Sequence, residues 1–243
     1  MHTEFEPLDS KTITRRRLAK TIDHALLLPQ LTDDEVSEGC ALAVRYGVAT
    51  VCVKPCHVVL ATSLVAGSDV WVSTVIGFPH GGTTIATKVF EAKEAIECGA
   101  SELDMVINIG KLRSGEAGYV QEEIWQIVSV AQGHLIKVIL ENAYLDHKQK
   151  VAGYRAAEAA GADFVKTSTG FAPSGSTLDD LKLMRATVGP AIQVKASGGI
   201  RTLEAMFGAL DAGATRIGTS ATAALLDSFD GIKQDGPVEP GAY

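Results

Sequence analysis

Two lysines each end a short apolar segment and are followed by a loop of small residues. The segments are Asp163–Lys166 and Ala191–Lys195. A lysine with an ordinary pKa of about 10.4 is protonated at neutral pH and cannot attack a carbonyl carbon. Burial or a second nearby cation lowers that pKa and frees the lone pair. The pair predicts an amine nucleophile beside a supporting cation. The residues alone leave open which lysine has which role, and whether either is only a solvated strand end or a salt-bridge partner.

A carboxylate lies in the middle of another apolar segment. Asp104 is flanked by bulky apolar residues, and strand alternation places it on the same face as Glu102 and Val106. A carboxylate in that position either pairs with a buried lysine or relays protons. Lys137 is a second candidate partner, because it also alternates into the interior and could neutralise Asp104 or Glu141. Structural pairing and catalysis are both open at this point.

Glycine-containing loops follow the lysine segments. Thr167–Gly170 comes directly after Lys166, Ser197–Arg201 comes after Lys195, and Gly218–Ser220 opens the last predicted helix. Glycine lets backbone N–H groups approach an anion, and a helix N-terminus adds electrostatic attraction for phosphate. The loops therefore predict a phosphate site, against the alternative that each glycine only forms a turn.

These residues need a scaffold, and the alternation of segments along the chain predicts one. The strand-like segments are Ile22–His24, Ala49–Val53, Val70–Ile76, Glu102–Asn108, Leu135–Leu140, Asp163–Lys166, Ala191–Lys195 and Thr215–Ile217. The helix-like segments are Asp33–Tyr46, Thr83–Cys98, Glu116–Gln132, Lys148–Ala160, Thr177–Val188, Leu203–Ala212 and Ser220–Ser228. Several of these end at a glycine of the kind that stops helices, namely Gly47, Gly99, Gly161 and Gly213. Repeated strand–helix units indicate a parallel sheet.

About eight strands in 243 residues favour closure of that sheet. The predicted fold is an α/β, single-domain (β/α)8 TIM barrel over residues 1–243. Residues 1–20 form an extra N-terminal helical segment and residues 231–243 a flexible tail. No glycine-rich dinucleotide fingerprint follows an early strand, which argues against an open sheet. The carboxyl ends of barrel strands form the active site, and there the sequence places Asp23, Cys52, Asp104, Asn108, Glu141, Lys166 and Lys195.

Composition and charge narrow the classes of partner. The net charge of −7 is spread along the chain, whereas a nucleic acid or an anionic membrane requires clustered lysine and arginine. A small anionic substrate remains compatible with a locally positive pocket. The four cysteines show no metal-ligand spacing and favour a reducing compartment. With no membrane-length apolar run, these features predict a cytoplasmic protein.

Seven segments together resemble the deoxyribose-phosphate aldolase family, from about Ile22 to Leu226. The matching segments are Ile22–His24 with Leu26 and Leu27, Val75–Pro79 with Gly81, Glu102–Asn108, Lys137–Glu141, Phe164–Phe171, Val194–Arg201 and Arg216–Ser220. The resemblance implies a TIM-barrel class I aldolase that reversibly cleaves 2-deoxy-D-ribose 5-phosphate to glyceraldehyde 3-phosphate and acetaldehyde. It also implies that no cofactor and no metal are needed.

The resemblance further implies a role for each site residue. Lys166 would form the Schiff base, Lys195 would be the neighbouring cation, and Asp104 would transfer protons through a water. The expected substrate-binding residues are Asp23, Cys52, Thr167, Gly170, Gly198, Gly199, Gly218 and Ser220. Tyr243, the last residue, matches a tyrosine that assists proton transfer from the tail in some members. A disordered end is the alternative for Tyr243.

Two positions depart from the family's pattern. Ala25 stands where many members have threonine or serine, which puts the affinity for the sugar hydroxyls in doubt. Phe171 follows Gly170 where some relatives have lysine, which puts the strength of phosphate binding in doubt.

Three other functions compete with this one. A Schiff-base aldolase with a different aldehyde acceptor would share the lysines, and a phosphosugar-binding barrel without catalysis would share the fold. A metal-dependent aldolase would need clustered histidines and carboxylates, and the six histidines show no such spacing. For an enzyme of this size a homodimer is expected, because two-fold symmetry is the commonest arrangement.

Overall fold

The protein is a closed barrel of eight parallel strands surrounded by helices. A computed structural model describes residues 8–234. Neighbouring strands pair in sequence order, and β8 pairs with β1 to close the barrel. The strands are β1 (Ile22–Leu26), β2 (Thr50–Val53), β3 (Trp71–Ile76), β4 (Glu102–Val106), β5 (Leu135–Ile139), β6 (Phe164–Lys166), β7 (Gln193–Ser197) and β8 (Arg216–Thr219). The predicted (β/α)8 TIM barrel is confirmed.

Ten helices connect or flank the strands in the described part of the chain. They are α1 (Arg15–Ala19), α2 (Asp33–Tyr46), α3 (Val58–Val65), α4 (Ile85–Glu97), α5 (Ile109–Arg113), α6 (Ala117–Val130), α7 (His147–Ala159), α8 (Leu178–Thr187), α9 (Leu203–Asp211) and α10 (Thr222–Gln234). The 3₁₀ turns Pro55–His57 and Asn142–Tyr144 follow β2 and β5. Helix α1 supplies the helical segment expected within residues 1–20. Helix α10 continues to Gln234, so its last turn occupies residues 231–234 of the predicted tail 231–243. Residues 1–7 and 235–243 lie outside the described part.

Several helix ends follow from local sequence. Helix α2 begins at a capping box in which Thr32 and Glu35 bond each other's backbone N–H groups. It ends at Gly47, whose φ of 66° is left-handed. Strand β4 stops at Val106, two residues earlier than predicted. The reason is that the Asn108 side chain accepts a hydrogen bond from the Lys111 N–H and so caps α5.

The apolar core lies outside the barrel, between the strands and the helices. Leu103 and Met105 of β4 belong to it, whereas Glu102 and Asp104 alternate to the barrel interior. The same alternation places Lys137 inside and Ile136 and Val138 outside. The strands β4 and β5 therefore turn their charged side chains to the barrel axis and their neighbouring aliphatic side chains to the helices.

His24 links β1 to the last helix. Its Nδ1 atom lies 2.9 Å from the hydroxyl oxygen of Thr222, the first residue of α10, and the side chain is buried. Burial lowers the pKa of His24 to about 4 from its ordinary value of 6.5. The imidazole is therefore neutral in the folded protein at neutral pH.

We expect protonation of His24 to destabilise the fold. Because the unfolded state binds this proton more tightly, the free energy of unfolding falls as the pH drops from about 6.5 to about 4. The loss is roughly 3 kcal/mol at the lower limit. Urea unfolding of the wild type and His24→Gln across this range checks the slope, which should be smaller in the variant. The matched control is His147→Gln, which removes an exposed histidine. An identical slope in His24→Gln would contradict the assignment.

Candidate active site

Asp104 binds three lysines at the centre of the barrel. Its Oδ2 atom accepts hydrogen bonds from the Nζ atoms of Lys166 and Lys195, each at 2.7 Å. Its Oδ1 atom accepts one from Lys137 Nζ, also at 2.7 Å. Since the first two amines share one oxygen, they lie within twice that distance of each other. The three residues expected to act in catalysis thus converge, and Asp104 also makes the structural pair with Lys137.

The two lysines nearest the substrate side differ in their affinity for a proton. Burial lowers the pKa of Lys166, and the positive charge of Lys195 adds to this against the opposing effect of Asp104. Burial also acts against the charge on Lys195, but Asp104 and Asp23 outweigh it and raise its pKa. The Lys166 amine therefore loses its proton more readily than the Lys195 amine.

Asp104 is held ionised by the lysines around it. Although burial favours the neutral acid, Lys137, Lys166 and Lys195 together keep the pKa of Asp104 well below its usual range. A carboxylate in this state stabilises neighbouring cations and holds a proton only weakly. It can therefore pass a proton on within a relay, but it does not retain one.

A second layer of charges lies below Asp104, towards the amino ends of the strands. Lys137 also pairs with Glu102 at 2.5 Å and with Asp23 at 3.5 Å. Arg216 Nη1 contacts Asp23 Oδ1 at 2.7 Å and Glu102 Oε2 at 3.0 Å. Asp23 in turn accepts a hydrogen bond from Lys195. The sequence analysis did not identify Arg216 as a site residue, because it begins its strand instead of ending it.

A cavity of about 220 Å³ opens above the two lysines. Asp23, Cys52, Gly170, Gly198, Gly199, Gly218 and Ser220, all expected to bind substrate, line it together with Lys166 and Lys195. Ala25 and Phe171, the two departures from the family's pattern, line it as well. So does Arg201, a cation that the sequence analysis had quoted only as part of a loop.

Thr167 is the one expected substrate-binding residue that does not line this cavity. Its hydroxyl donates to the Ser197 carbonyl oxygen and accepts from the Ser197 N–H, both at 3.1 Å. Thr167 is fully buried between β6 and β7 because these bonds hold it there. It supports the cavity wall through these bonds, and its expected role in substrate binding stays a prediction.

Glycines allow the loops at the mouth of this cavity to pack closely. A Cβ atom at Gly175 would lie 2.1 Å from the Gly198 carbonyl oxygen, and one at Gly218 would lie 3.3 Å from Lys195 Cε. Gly198 and Gly199 both have left-handed φ angles, of 85° and 84°. A side chain at Gly175 or Gly218 would displace a neighbouring loop, since a Cβ at Gly218 would lie 2.9 Å from Ser197 Cβ, whereas Gly199 holds glycine because of its φ angle.

Glu141 lies at the edge of the same site in a left-handed conformation, with φ of 54°. Its carboxylate accepts hydrogen bonds from the Thr169 N–H and hydroxyl, and burial raises its pKa. Glu141 lines a neighbouring cavity of about 370 Å³ that shares Thr169 and Phe171 with the first. Glu141 thus shapes the wall between the two cavities.

Four further expectations concern the rest of the chain. All four cysteines are free thiols; Cys40 and Cys52 are buried as expected, whereas Cys56 is exposed. Between residues 8 and 234, no helix is both long and apolar enough to span a membrane. The same part of the chain places no three metal-binding side chains around a common point. Tyr243 lies outside the described residues, so its proton-relay role stays a prediction.

Comparison with known proteins gives consistent matches over most of the chain. The model of the DeoC/LacD family of aldolases matches residues 17–231. A deoxyribose-phosphate aldolase of Thermoanaerobacter sp. (strain X514) is 49% identical over 219 residues, covering 89% of this chain and 98% of the relative. Deoxyribose-phosphate aldolase 2 of Staphylococcus aureus (strain COL) is 50% identical over 212 residues, covering 87% of this chain and 96% of that relative.

A solved structure agrees with these matches. The deoxyribose phosphate aldolase from Aeropyrum pernix, described as a tetramer, superposes with a TM-score of 0.84 at 35% identity. The match covers 90% of this chain and 93% of that one. The match therefore extends over almost the whole barrel of both proteins.

We expect Lys166 to be the first buried barrel lysine to react with an amine reagent as the pH rises, because only its pKa is lowered among Lys137, Lys166 and Lys195. Brief labelling with acetic anhydride at pH 6–10, followed by peptide mass analysis, measures this order. Lys148 is an exposed lysine for comparison. Earlier labelling of Lys195 than of Lys166 would reverse the two assignments.

Proposed function

The chain belongs to the DeoC/LacD family of aldolases, and we propose that it reversibly cleaves 2-deoxy-D-ribose 5-phosphate to D-glyceraldehyde 3-phosphate and acetaldehyde. The observation that carries this proposal is the pair of buried lysines on one Asp104 oxygen, with pKa values displaced in opposite directions. One lysine is suited to attack an aldehyde carbon and the other to remain charged beside it. The match to named deoxyribose-phosphate aldolases supports the choice of substrate.

In the proposed mechanism, the neutral amine of Lys166 attacks the C1 aldehyde of the open-chain sugar. Loss of water gives a protonated imine, which is an electron sink. Removal of the C3 hydroxyl proton then breaks the C2–C3 bond. Its electron pair forms an enamine on Lys166, and glyceraldehyde 3-phosphate leaves. Protonation of the enamine carbon and hydrolysis of the imine release acetaldehyde and regenerate the amine.

Asp104 and Lys195 supply the charges that this sequence needs. Asp104 is ionised and within 2.7 Å of the Lys166 nitrogen, so it stabilises the protonated imine and accepts protons in relay. Lys195 disfavours protonation of Lys166 in the resting enzyme. We propose these roles together with proton transfer through a water to the reacting carbon.

The phosphate is proposed to bind at the glycine-rich side of the cavity. Gly198 and Gly199, together with Gly218 and Ser220 at the entry to α10, line that side. Backbone N–H groups in such loops bind phosphate oxygens without steric conflict. Arg201 provides a cation on the same side, and Phe171 provides none.

Borohydride trapping tests the covalent step. With 2-deoxyribose 5-phosphate or acetaldehyde, we expect a reduced adduct on Lys166, because the imine that forms there is reducible. Intact mass followed by peptide mapping locates it. Lys166→Ala should abolish both the adduct and the aldolase activity while keeping the circular dichroism spectrum of the wild type.

The alternatives give different results in that experiment. An adduct on Lys195 would reverse the two lysine roles and keep the aldolase class. Trapping with acetaldehyde but no cleavage of deoxyribose phosphate would indicate an aldolase for a different acceptor. Absence of any adduct on folded protein would reject the Schiff-base mechanism and favour a binding role.

The variant Arg201→Gln tests whether the substrate's phosphate group binds at the glycine-rich side of the cavity. We expect KM for 2-deoxyribose 5-phosphate to rise about tenfold, because a charge-assisted hydrogen bond to phosphate is lost. The turnover of unphosphorylated 2-deoxyribose should be unchanged. A matched control is Arg45→Gln, which removes an exposed arginine on α2. Equal effects on both sugars would place the phosphate elsewhere.

We also propose that the enzyme acts in the cytoplasm as a homodimer. Four free thiols suit a reducing compartment, and two-fold symmetry is the commonest arrangement of soluble enzymes. Light scattering coupled to gel filtration measures the mass of the assembly. A mass of one or four chains would contradict the dimer.

A further inference from the structure

Arg216 enters the barrel from the end opposite the cavity and has no part in the mechanism above. Its side chain is 13% exposed and its guanidinium lies over the Phe164 ring at 5.4 Å from the centroid. It pairs with Asp23 and Glu102, which lie on β1 and β4. A buried arginine this close to two carboxylates changes the charge balance of the whole barrel interior.

The interior ion pairs join unequal numbers of acids and bases. Among the described residues, they connect three carboxylates, on Asp23, Glu102 and Asp104, with four cations, on Lys137, Lys166, Lys195 and Arg216. If every group were charged, one positive charge would be left over. An excess charge in a low-dielectric interior is costly, and the group that holds its proton least tightly releases it.

Geometry identifies Lys166 as that group. Lys137 pairs with Asp23, Glu102 and Asp104. Lys195 pairs with Asp23 and Asp104. Lys166 has an ion pair only with Asp104 among the described residues. Arginine does not release its proton in proteins.

The directions of the pKa shifts agree with this order. The pKa of Lys166 is lowered by burial and by Lys195, whereas carboxylates raise those of Lys137, Lys195 and Arg216 against burial. The carboxylate with three lysine partners, Asp104, keeps its charge.

Two other titratable groups face Lys166, and neither makes an ion pair with it among the described residues. Burial raises the pKa of the Cys52 thiol, so it stays neutral. Glu141 is hydrogen-bonded to Thr169 and makes no ion pair with any of these cations in the described part of the chain. The titratable or charged groups packed around Lys166 are then Asp23, Cys52, Glu102, Asp104, Lys137, Glu141, Lys195 and Arg216.

We propose that Arg216 and Glu102 are positioning residues whose charges, acting through Asp23 and Lys137, leave Lys166 as the one surplus cation and so keep its amine free to react. The inference rests on the proposed role of Lys166 as nucleophile. Without Arg216, three carboxylates would face three lysines, and Lys166 would keep its proton as a counterion of Asp104. Removing Glu102 as well would restore the surplus.

The test is a double-mutant cycle made of Arg216→Gln, Glu102→Gln and the variant that carries both substitutions. In Arg216→Gln we expect the acid limb of the kcat/KM–pH profile to move to higher pH, with about tenfold lower kcat/KM at pH 7. Glu102→Gln should leave that limb in place or move it to lower pH. The double variant should recover most of the loss, and Arg216→Lys should resemble the wild type. Damage to packing alone would accumulate in the double variant.

Acetic anhydride labelling of Lys166 across the same pH range reads its protonation without substrate. The labelling midpoint should rise in Arg216→Gln and return in the double variant. Arg45→Gln controls for the loss of one positive charge from the surface. If Arg216→Gln does not fold, Glu102→Gln alone still tests the proposal. A labelling midpoint of Lys166 at higher pH in Glu102→Gln than in the wild type would contradict it.

The two proposals fail in different ways. Absence of a borohydride adduct on wild-type Lys166 would reject the Schiff-base function itself. A wild-type adduct combined with the same Lys166 midpoint in all variants would reject only the role of Arg216 and Glu102.

Discussion

The barrel depends on one buried carboxylate that accepts hydrogen bonds from three lysines. Asp104 comes from β4, and Lys137, Lys166 and Lys195 come from the next three strands around the barrel. None of these four groups could be buried alone without a large desolvation cost. Their meeting requires the pairing register seen between the strands, since a slip of one residue would turn every side chain of a strand to the outer face.

Packing between the strands and the surrounding helices supplies the stability that the charged interior of the barrel does not. Aliphatic side chains of the strands pack against the helices, and the ends of β4 are tied to that layer by a buried ion pair outside the barrel. Lys88 of α4 donates to the Val106 carbonyl oxygen and pairs with Glu123 of α6 at 2.5 Å, while Glu123 accepts from the Asn108 N–H. The strand that carries Asp104 is therefore fixed from the outside by groups that never reach the cavity.

The sequence was sufficient to predict the barrel and the converging lysines, because both depend on local patterns. Helix α2 was predicted over its full length, and Gly47 was recognised in the sequence as its stop. The nucleophile could not be chosen from the sequence, since the pKa order depends on which carboxylates lie beside each lysine. Arg216 was not predicted as a site residue because it lies at the amino end of β8, whereas active-site residues of a barrel are expected at the carboxyl ends of its strands. The sequence did not show that the Thr167 hydroxyl bonds the Ser197 carbonyl oxygen, because that contact depends on how β6 and β7 pair.

The unequal number of acids and bases in the barrel has a consequence for the energy profile of catalysis. In the proposed mechanism Lys166 is neutral in the resting enzyme, and the charges joined by the interior ion pairs then cancel. Formation of the protonated imine would add one positive charge beside Asp104, and cleavage to the neutral enamine would remove it again. The imine is therefore the electrostatically least favoured covalent state, and the interior favours its conversion to the enamine in either direction of the reaction. An interior with one more carboxylate would stabilise the imine as an energy well, and turnover would slow.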